Sequence, residues 1–486
     1  MGPTGASEHV TALPELLRSW LPGRRWFAEK GRPLRSVRVE ERIALPVTGT
    51  HLLGLEVLVL SVAFDDDGPA RHYQLHLARG RSAPEGAPVI GTVDTGSGSS
   101  GSSGGSDGSD GSDGSGDSDS SDGSGGETLY DGLYDPDVTG WILRAIADGT
   151  AVEGLAFVPE PGAELPLGET GRVVDAEQSN TSIRWGEHSI LKIYRRLSPG
   201  RNPDLELHRA LRAAGSTSVA ALQGAIEGTL DGEPATYGML QEFAAGSEDG
   251  WERATAAVRE GADFTGEARA LGEALAEIHT ALRDELGSSE ADPVTMAAYW
   301  NSRLDAVAGQ VPVLEPYVPA IRAAYDEVAA LGAPVVVQRM HGDLHLGQTL
   351  RRRSDGHWLV IDFEGEPAAT PAERRAPDST VRDVVGMLFS FDYAAFHHLL
   401  TRSDTPGGDL GSDTPEARAA QAWAAANRDA FCAGYAGRGG ADPRAAAALL
   451  RAYELDKAVY QVLYETRSRP AWLPIPLTAI ARDTGE

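Results

Sequence analysis

The chain has 486 residues, 41% of them hydrophobic, with a single cysteine and a formal net charge of −28 at pH 7. That length accommodates two or three domains with ordinary apolar cores, and one thiol excludes an intrachain disulfide framework. So acidic a chain lacks the basic footprint of a nucleic-acid or anionic-membrane binder, and it contains no apolar run long enough for a membrane-spanning helix.

Residues 1–10 carry Glu8 and no apolar core, so a signal peptide is not expected, and residues 16–21 with Trp26 and Phe27 form an apolar start. Residues 37–45 and 51–64 are rich in β-branched residues and Leu and predict strands, and 72–77 is another short alternating run. From about Thr95 to Gly126 the chain is almost wholly Gly, Ser and Asp. Nothing in that segment can be buried, so a disordered loop is expected, and it lacks the spaced Glu of a calcium-binding loop. The small α+β unit then resumes at 129–134. Residues 142–243 are strand-rich with one helix at 204–214. Helices follow at 256–281 and 318–331, a strand–loop–strand insert at 335–362, and helices at 416–435 and 443–467. The expected fold is α+β and bilobal, of protein-kinase-like order. It has a cap subdomain over 1–140, a β-rich N-lobe over 141–246 and a helical C-lobe over 247–486. The lone Cys432 lies in an Ala-rich helical stretch and reads as packing.

The chemistry concentrates in His341-Gly342-Asp343-Leu344-His345-Leu346-Gly347-Gln348, followed by a strand that ends at Asp362. Phosphoryl transfer needs a carboxylate for the attacking hydroxyl and oxygen ligands for Mg²⁺. Asp343 fits the first role; Gln348 and Asp362 fit the second. His341 and His345 with Asp343 could instead be read as zinc ligands of a metallohydrolase, but no further His or Cys cluster accompanies them. Lys192 lies inside the apolar strand 189–194, where a buried charge requires a partner. Glu206, on the following helix, is the expected one, a pair that organises the phosphate site of kinase folds. Residues 177–182, with Ser179 and Asn180, occupy the place of a phosphate-covering loop or a plain polar turn. Gln241 and Phe243 close the β-rich lobe at the position of an adenine-binding hinge.

These segments resemble the aminoglycoside-phosphotransferase-like kinases. More narrowly, from Gly23-Arg24-Arg25-Trp26-Phe27 to Tyr464-Glu465-Thr466-Arg467, the chain resembles the actinobacterial maltokinases and related glucosamine kinases. The resemblance implies Asp343 as catalytic base, Gln348 and Asp362 as Mg²⁺ ligands with Glu364 near the metals, Glu366 bracing the loop, and Lys192 with Glu206 on ATP. The substrates implied are a small sugar and ATP. With neither a membrane span nor a signal peptide expected, a cytoplasmic protein is expected, as a monomer. The sugar pocket is expected in the helical lobe, around His345, Asp392, Trp423, Tyr453, Asp456 and Lys457, with Tyr460 at helical spacing. Related maltokinases tend to carry Arg where Phe389 stands. That loss of a cation, with the acids Asp392, Glu454 and Asp456, favours glucosamine as acceptor over maltose. A nucleotide-binding pseudokinase is the non-enzymatic alternative.

Overall fold

The computed structural model describes residues 9–47, 49, 51–66, 68–94, 126–174, 179–367, 369–402 and 414–485. The Gly/Ser/Asp segment at 95–125, and Glu177 and Gln178 of the expected phosphate loop, lie outside the described residues. The chain divides into two compact units. One comprises residues 1–200 and 223–240, the other 201–222 and 241–486. The expected cap boundary at residue 140 therefore falls inside the first unit. The expected boundary at 246 falls near the junction after Leu240, and the segment 201–222 joins the second unit.

The first unit is built on two sheets. One is antiparallel, in the order Leu34–Leu45, Leu52–Phe64, Arg71–Gly80, Gly126–Asp131, Val89–Asp94. Its strand Leu52–Phe64 is apolar on both pleat faces, and alternation sends successive residues to opposite sides. Val57 and Val59 join a core with Ile142, Phe157, Ile183 and Leu191. Leu58, Leu60 and Val62 join another with Leu17, Trp20, Trp26 and Phe27. The second sheet has seven strands, in the order Ala151–Val152, Leu155–Pro159, Leu222–Leu230, Glu233–Glu242, Ser189–Ile193, Thr181–Trp185, Gly171–Val174.

Polar groups tie these two sheets together where apolar packing cannot fix register. Gln74 Nε2 donates to the carbonyls of Tyr194 (2.8 Å) and Tyr237 (2.6 Å). The fully buried Arg195 pairs with the fully buried Asp131 and donates to Thr181 Oγ1 at 2.7 Å. Its guanidinium also stacks over Trp26, 4.5 Å from the ring centroid. The helix Pro136–Asp148, which the strand-rich reading of 142–243 missed, carries its signals at its ends. Asp135 accepts from the N–H of Asp137 at its start, and Gly149 ends it in the left-handed region.

The second unit is mainly helical. The single helix expected at 256–281 is two, Gly250–Glu260 and Thr265–Leu286, separated at Gly261, whose φ is 65°. The helices Pro293–Ala308 and Val381–Arg402 escaped the sequence reading. The latter is apolar nearly all round from Val384 to Phe396, so amphipathic spacing could not reveal it. The insert supplies the strands Val335–Gln338, Thr349–Arg352 and Trp358–Val360. Cys432 is buried, and burial pushes its thiol up to about 11.

Candidate active site

The insert's first strand delivers the chain into the loop that carries Asp343. This loop is anchored from below by Asp383, in the first turn of the helix Val381–Arg402. The Asp383 carboxylate accepts the backbone N–H groups of His341 (2.9 Å) and Gly342 (2.8 Å), and His279 Nε2 lies 2.9 Å away. Burial opposes its ionisation, but the His279 contact and the neighbouring N–H groups outweigh it, and the carboxyl stays below its ordinary range.

His341 spans the loop. Its Nδ1 accepts the Asp343 N–H (3.2 Å), so Nε2 carries the proton and donates to the Ile361 carbonyl (2.9 Å). Both ring nitrogens are thus engaged within the loop, which removes the basis of the zinc reading. Gly342 has φ 83°, a conformation an L side chain resists. Further along, Leu346 N–H donates to Ser390 Oγ at 2.9 Å. Gly386 lets the helix approach so closely that a Cβ there would lie 2.2 Å from the Leu344 carbonyl oxygen.

Asp343 is half-buried, and burial raises its carboxyl above the ordinary range. Lys457 opposes that rise, Glu366 and Asp362 add to it, and His341 opposes it. Lys457 Nζ lies 3.8 Å from Asp343 Oδ1. His345 is exposed at the cavity, where its surroundings and the nearby His341 and Lys457 lower its imidazole below the ordinary range, and its Nδ1 accepts the Gly347 N–H.

Asp362 and Gln348 are brought together, with Gln348 Nε2 2.9 Å from Asp362 Oδ2. Asp362 adopts φ 67°, a left-handed conformation that a non-glycine residue holds only under constraint from its surroundings. Next to it, the Phe363 N–H donates to the buried Asp204 (3.0 Å), and Asn202 Nδ2 donates to Glu364 (3.2 Å). Asp362 and Gln348 could supply oxygen donors of the hard kind that suits Mg²⁺, with Glu364 two residues beyond Asp362 along the chain.

A cavity of about 1050 Å³ opens over Asp343, His345 and Lys457. Glu366, Phe389 and Tyr460 also line it, as do Asp249 and Glu252 at the start of the helix Gly250–Glu260. Glu366 pairs with Arg382 at 3.3 Å. Asp456 and Tyr453 line smaller cavities behind Glu366. There Asp456 faces Arg303 at 3.3 Å, and the Tyr453 hydroxyl donates to Asp378.

Two expected pocket residues do not line any of these cavities. Asp392 is buried, with Arg428 at 3.1 Å and Arg482 at 3.0 Å, and Glu454 contacts the same two arginines. These acids staple the C-terminal helix Pro474–Thr484 to the core. Trp423 packs tilted against Phe264 and edge-on against Phe391 and donates to the Ala262 carbonyl at 3.3 Å. It packs half-buried against the core rather than facing these cavities as a stacking platform. Asp249, Glu252, Glu366 and Asp383 were missed as site groups or given other roles. Asp249 and Glu252 carried a signal, an acid before a helix start, that spacing alone does not connect to a loop about 90 residues away.

On the nucleotide side, Lys192 lies on the strand Ser189–Ile193, its Nζ 5.5 Å from the Tyr194 ring centroid. Ser179 and Asn180 form the bend that leads into the strand Thr181–Trp185. Gln241 is within the strand Glu233–Glu242, and Phe243 follows it. Glu206, in the first turn of the helix Pro203–Ala213, accepts from Arg339 Nη2 at 2.6 Å, a partner the sequence reading did not foresee.

Residues 20–102 match the maltokinase N-terminal cap domain, and residues 170–373 match the phosphotransferase enzyme family. A glucosamine kinase of Streptacidiphilus jiangxiensis is 30% identical over 359 residues, which cover 69% of this chain and 78% of that protein. The chain belongs to the maltokinase-like glucosamine kinase family. A glucosamine kinase of Mycolicibacterium smegmatis is 27% identical over 355 residues, 68% of this chain and 84% of that protein. The fold is also that of a solved glucosamine kinase in complex with glucosamine, ADP and inorganic phosphate. That structure has a TM-score of 0.65 and 22% identity, with 96% of this chain and 98% of that one covered. Family membership makes the protein an ATP-dependent phosphotransferase with an alcohol group as acceptor. Among its described residues, no helix is long and apolar enough to cross a membrane.

Proposed function

We propose that the protein transfers the γ-phosphate of ATP to the 6-hydroxyl of glucosamine. The observation that carries this reading is the placement of Asp343, half-buried, braced and beside Lys457, in a cavity whose acids Asp249 and Glu252 suit a cationic acceptor. Phe389, rather than a cation, occupies the same wall. Asp392 and Glu454 no longer support the choice, since arginines neutralise both.

In this reading Asp343 accepts the proton of the attacking hydroxyl as the O–P bond forms. The sugar 6-phosphate and ADP are the products. Lys457 keeps the carboxylate ionised and therefore able to accept. His345, neutral, offers Nε2 to a sugar hydroxyl. Tyr453 and Asp456 support the pocket through Arg303, Asp378 and Glu366 rather than by facing the sugar.

Gln348, Asp362 and Glu364 would hold Mg²⁺, which supplies charge neutralisation on the transferring phosphoryl group. Lys192 would bind the ATP phosphates; Glu206, its expected partner, pairs with Arg339. Ser179 and Asn180 would cover the phosphates, and the backbone at Gln241 and Phe243 would meet adenine. These nucleotide roles rest on the family's motif pattern.

The test is steady-state kinetics with glucosamine, glucose and maltose, with the product's phosphorylated carbon assigned by NMR. Glucosamine is expected to give the highest kcat/KM and a 6-phosphate. A higher kcat/KM for maltose, with phosphate at the anomeric carbon, would overturn the proposal.

A further inference from the structure

The carboxylate that anchors the catalytic loop is itself held through a buried chain of side chains. Asp383 accepts the His341 and Gly342 N–H groups, and its Oδ2 lies 2.9 Å from His279 Nε2. On the far side of that ring, His279 Nδ1 lies 2.9 Å from the Tyr435 hydroxyl oxygen. Tyr435, His279 and Asp383 are all buried, and Tyr435 lines none of the cavities described above. Counting protons fixes the direction of the chain. Asp383 stays ionised and can only accept, so the proton of a neutral His279 sits on Nε2. Nδ1 then offers only a lone pair and takes the Tyr435 proton. Burial raises the Tyr435 hydroxyl, which keeps that proton, and its oxygen accepts from the Thr380 hydroxyl. Hydrogen bonds in series in a dry interior polarise one another, so each link strengthens the next.

The packing that delivers Tyr435 is close and specific. Tyr435 lies near the end of the helix Pro415–Gly437, and His279 lies in the helix Thr265–Leu286. A Cβ on Gly434 would collide with the Arg269 carbonyl, and one on Gly272 with the Phe431 carbonyl. The two helices therefore meet backbone to backbone, and little slack remains in where the tyrosine stands. The Tyr435 and His279 rings meet edge to face, with centroids 5.7 Å apart and planes at 74°. Gln338, the last residue of the strand that leads into the loop, donates from Nε2 to the His279 carbonyl at 2.8 Å. His279 is thus held at its backbone and at both ring nitrogens.

We propose that Tyr435 is a positioning residue for phosphoryl transfer. Its hydroxyl selects the Nε2-protonated tautomer of His279, which keeps a donor on Asp383 and so keeps the loop of Asp343 in its reactive place. The role is independent of which sugar is the acceptor. A tyrosine that only filled space would leave the His279 tautomer unselected, and its loss would not act through His279.

The test joins steady-state kinetics to ¹⁵N NMR of the histidine side chains. Glucosamine is the acceptor, and maltose replaces it if maltose proves the better substrate. In the wild-type chain His279, assigned by comparison with His279→Gln, is expected as the neutral Nε2–H tautomer near pH 7. Tyr435→Phe is expected to lower kcat at least threefold, to leave the KM values for sugar and Mg·ATP within threefold, and to move the His279 signals towards mixed tautomers. In a His279→Gln background, where no tautomer remains to select, the same substitution is expected to change kcat less than threefold. An imidazolium or an Nδ1–H tautomer at His279 in the wild type overturns the proposal, and that measurement needs no variant to fold. A Tyr435→Phe enzyme that loses less than threefold in kcat also overturns it. So does one whose loss lies in KM, or whose loss of threefold or more persists in the His279→Gln background.

Discussion

Lys457 Nζ lies 3.8 Å from Asp343 Oδ1, so the helix Ala447–Ser468 places a cation against the carboxylate at the centre of the loop. Burial pushes Asp343 towards its protonated form and Lys457 pulls it back. A base works only when ionised, so activity falls as the pH drops through its pKa. The acid limb of the kcat/KM profile is expected above the ordinary Asp value of about 3.9. Lys457→Met removes the opposing cation and is expected to move that limb to higher pH. A pH–rate series on both proteins measures it, and an unmoved limb would deny Lys457 this role.

Asp383 is expected to matter for both stability and rate. Asp383→Ala leaves the His341 and Gly342 N–H groups and His279 without their acceptor, inside a dry loop base. Removing such a buried, charge-assisted partner costs about 3–5 kcal/mol. The loop that aims Asp343 is expected to lose at least ~100-fold in kcat from misplacement alone. Denaturant unfolding and single-turnover kinetics read the two effects. The wild-type carboxylate, held below its unfolded pKa, contributes stability above that value and loses it as the pH falls through the folded pKa.

Asp131→Ala in the first unit strands the Arg195 guanidinium, which is fully buried. A loss of about 3–5 kcal/mol is expected. The double variant Asp131→Leu/Arg195→Met, which removes both charges, is expected to be more stable than Asp131→Ala. Urea midpoints of the three proteins decide this, and a double variant less stable than the single one would refute the buried-charge account.

The centre of the site was legible because its residues follow one another along the chain. Asp343, Gln348 and Asp362 lie on one strand–loop–strand segment, and the loop's composition revealed it. The walls of the cavity were harder to read because they depend on helix rotation. Asp392 and Trp423 sit on helices whose direction of facing no local pattern determines. They turned inward to Arg428, Arg482 and Phe391. Likewise Glu206 on its helix could be foreseen as an ion-pair partner, but Arg339 is 133 positions away and its approach is set by tertiary packing. The helix Val381–Arg402 was hidden for the opposite reason: with most of its surface buried, it carries no amphipathic period.

The measurement closest to the central claim is turnover by Asp343→Asn alongside its affinity for Mg·ATP. Asparagine keeps the shape of the side chain and cannot accept the hydroxyl proton. A fall in kcat of about 10²–10⁴-fold, the range attributed to general base catalysis, is expected, with the nucleotide Kd within threefold of wild type. An Asp343→Asn enzyme with near-wild-type kcat would contradict it.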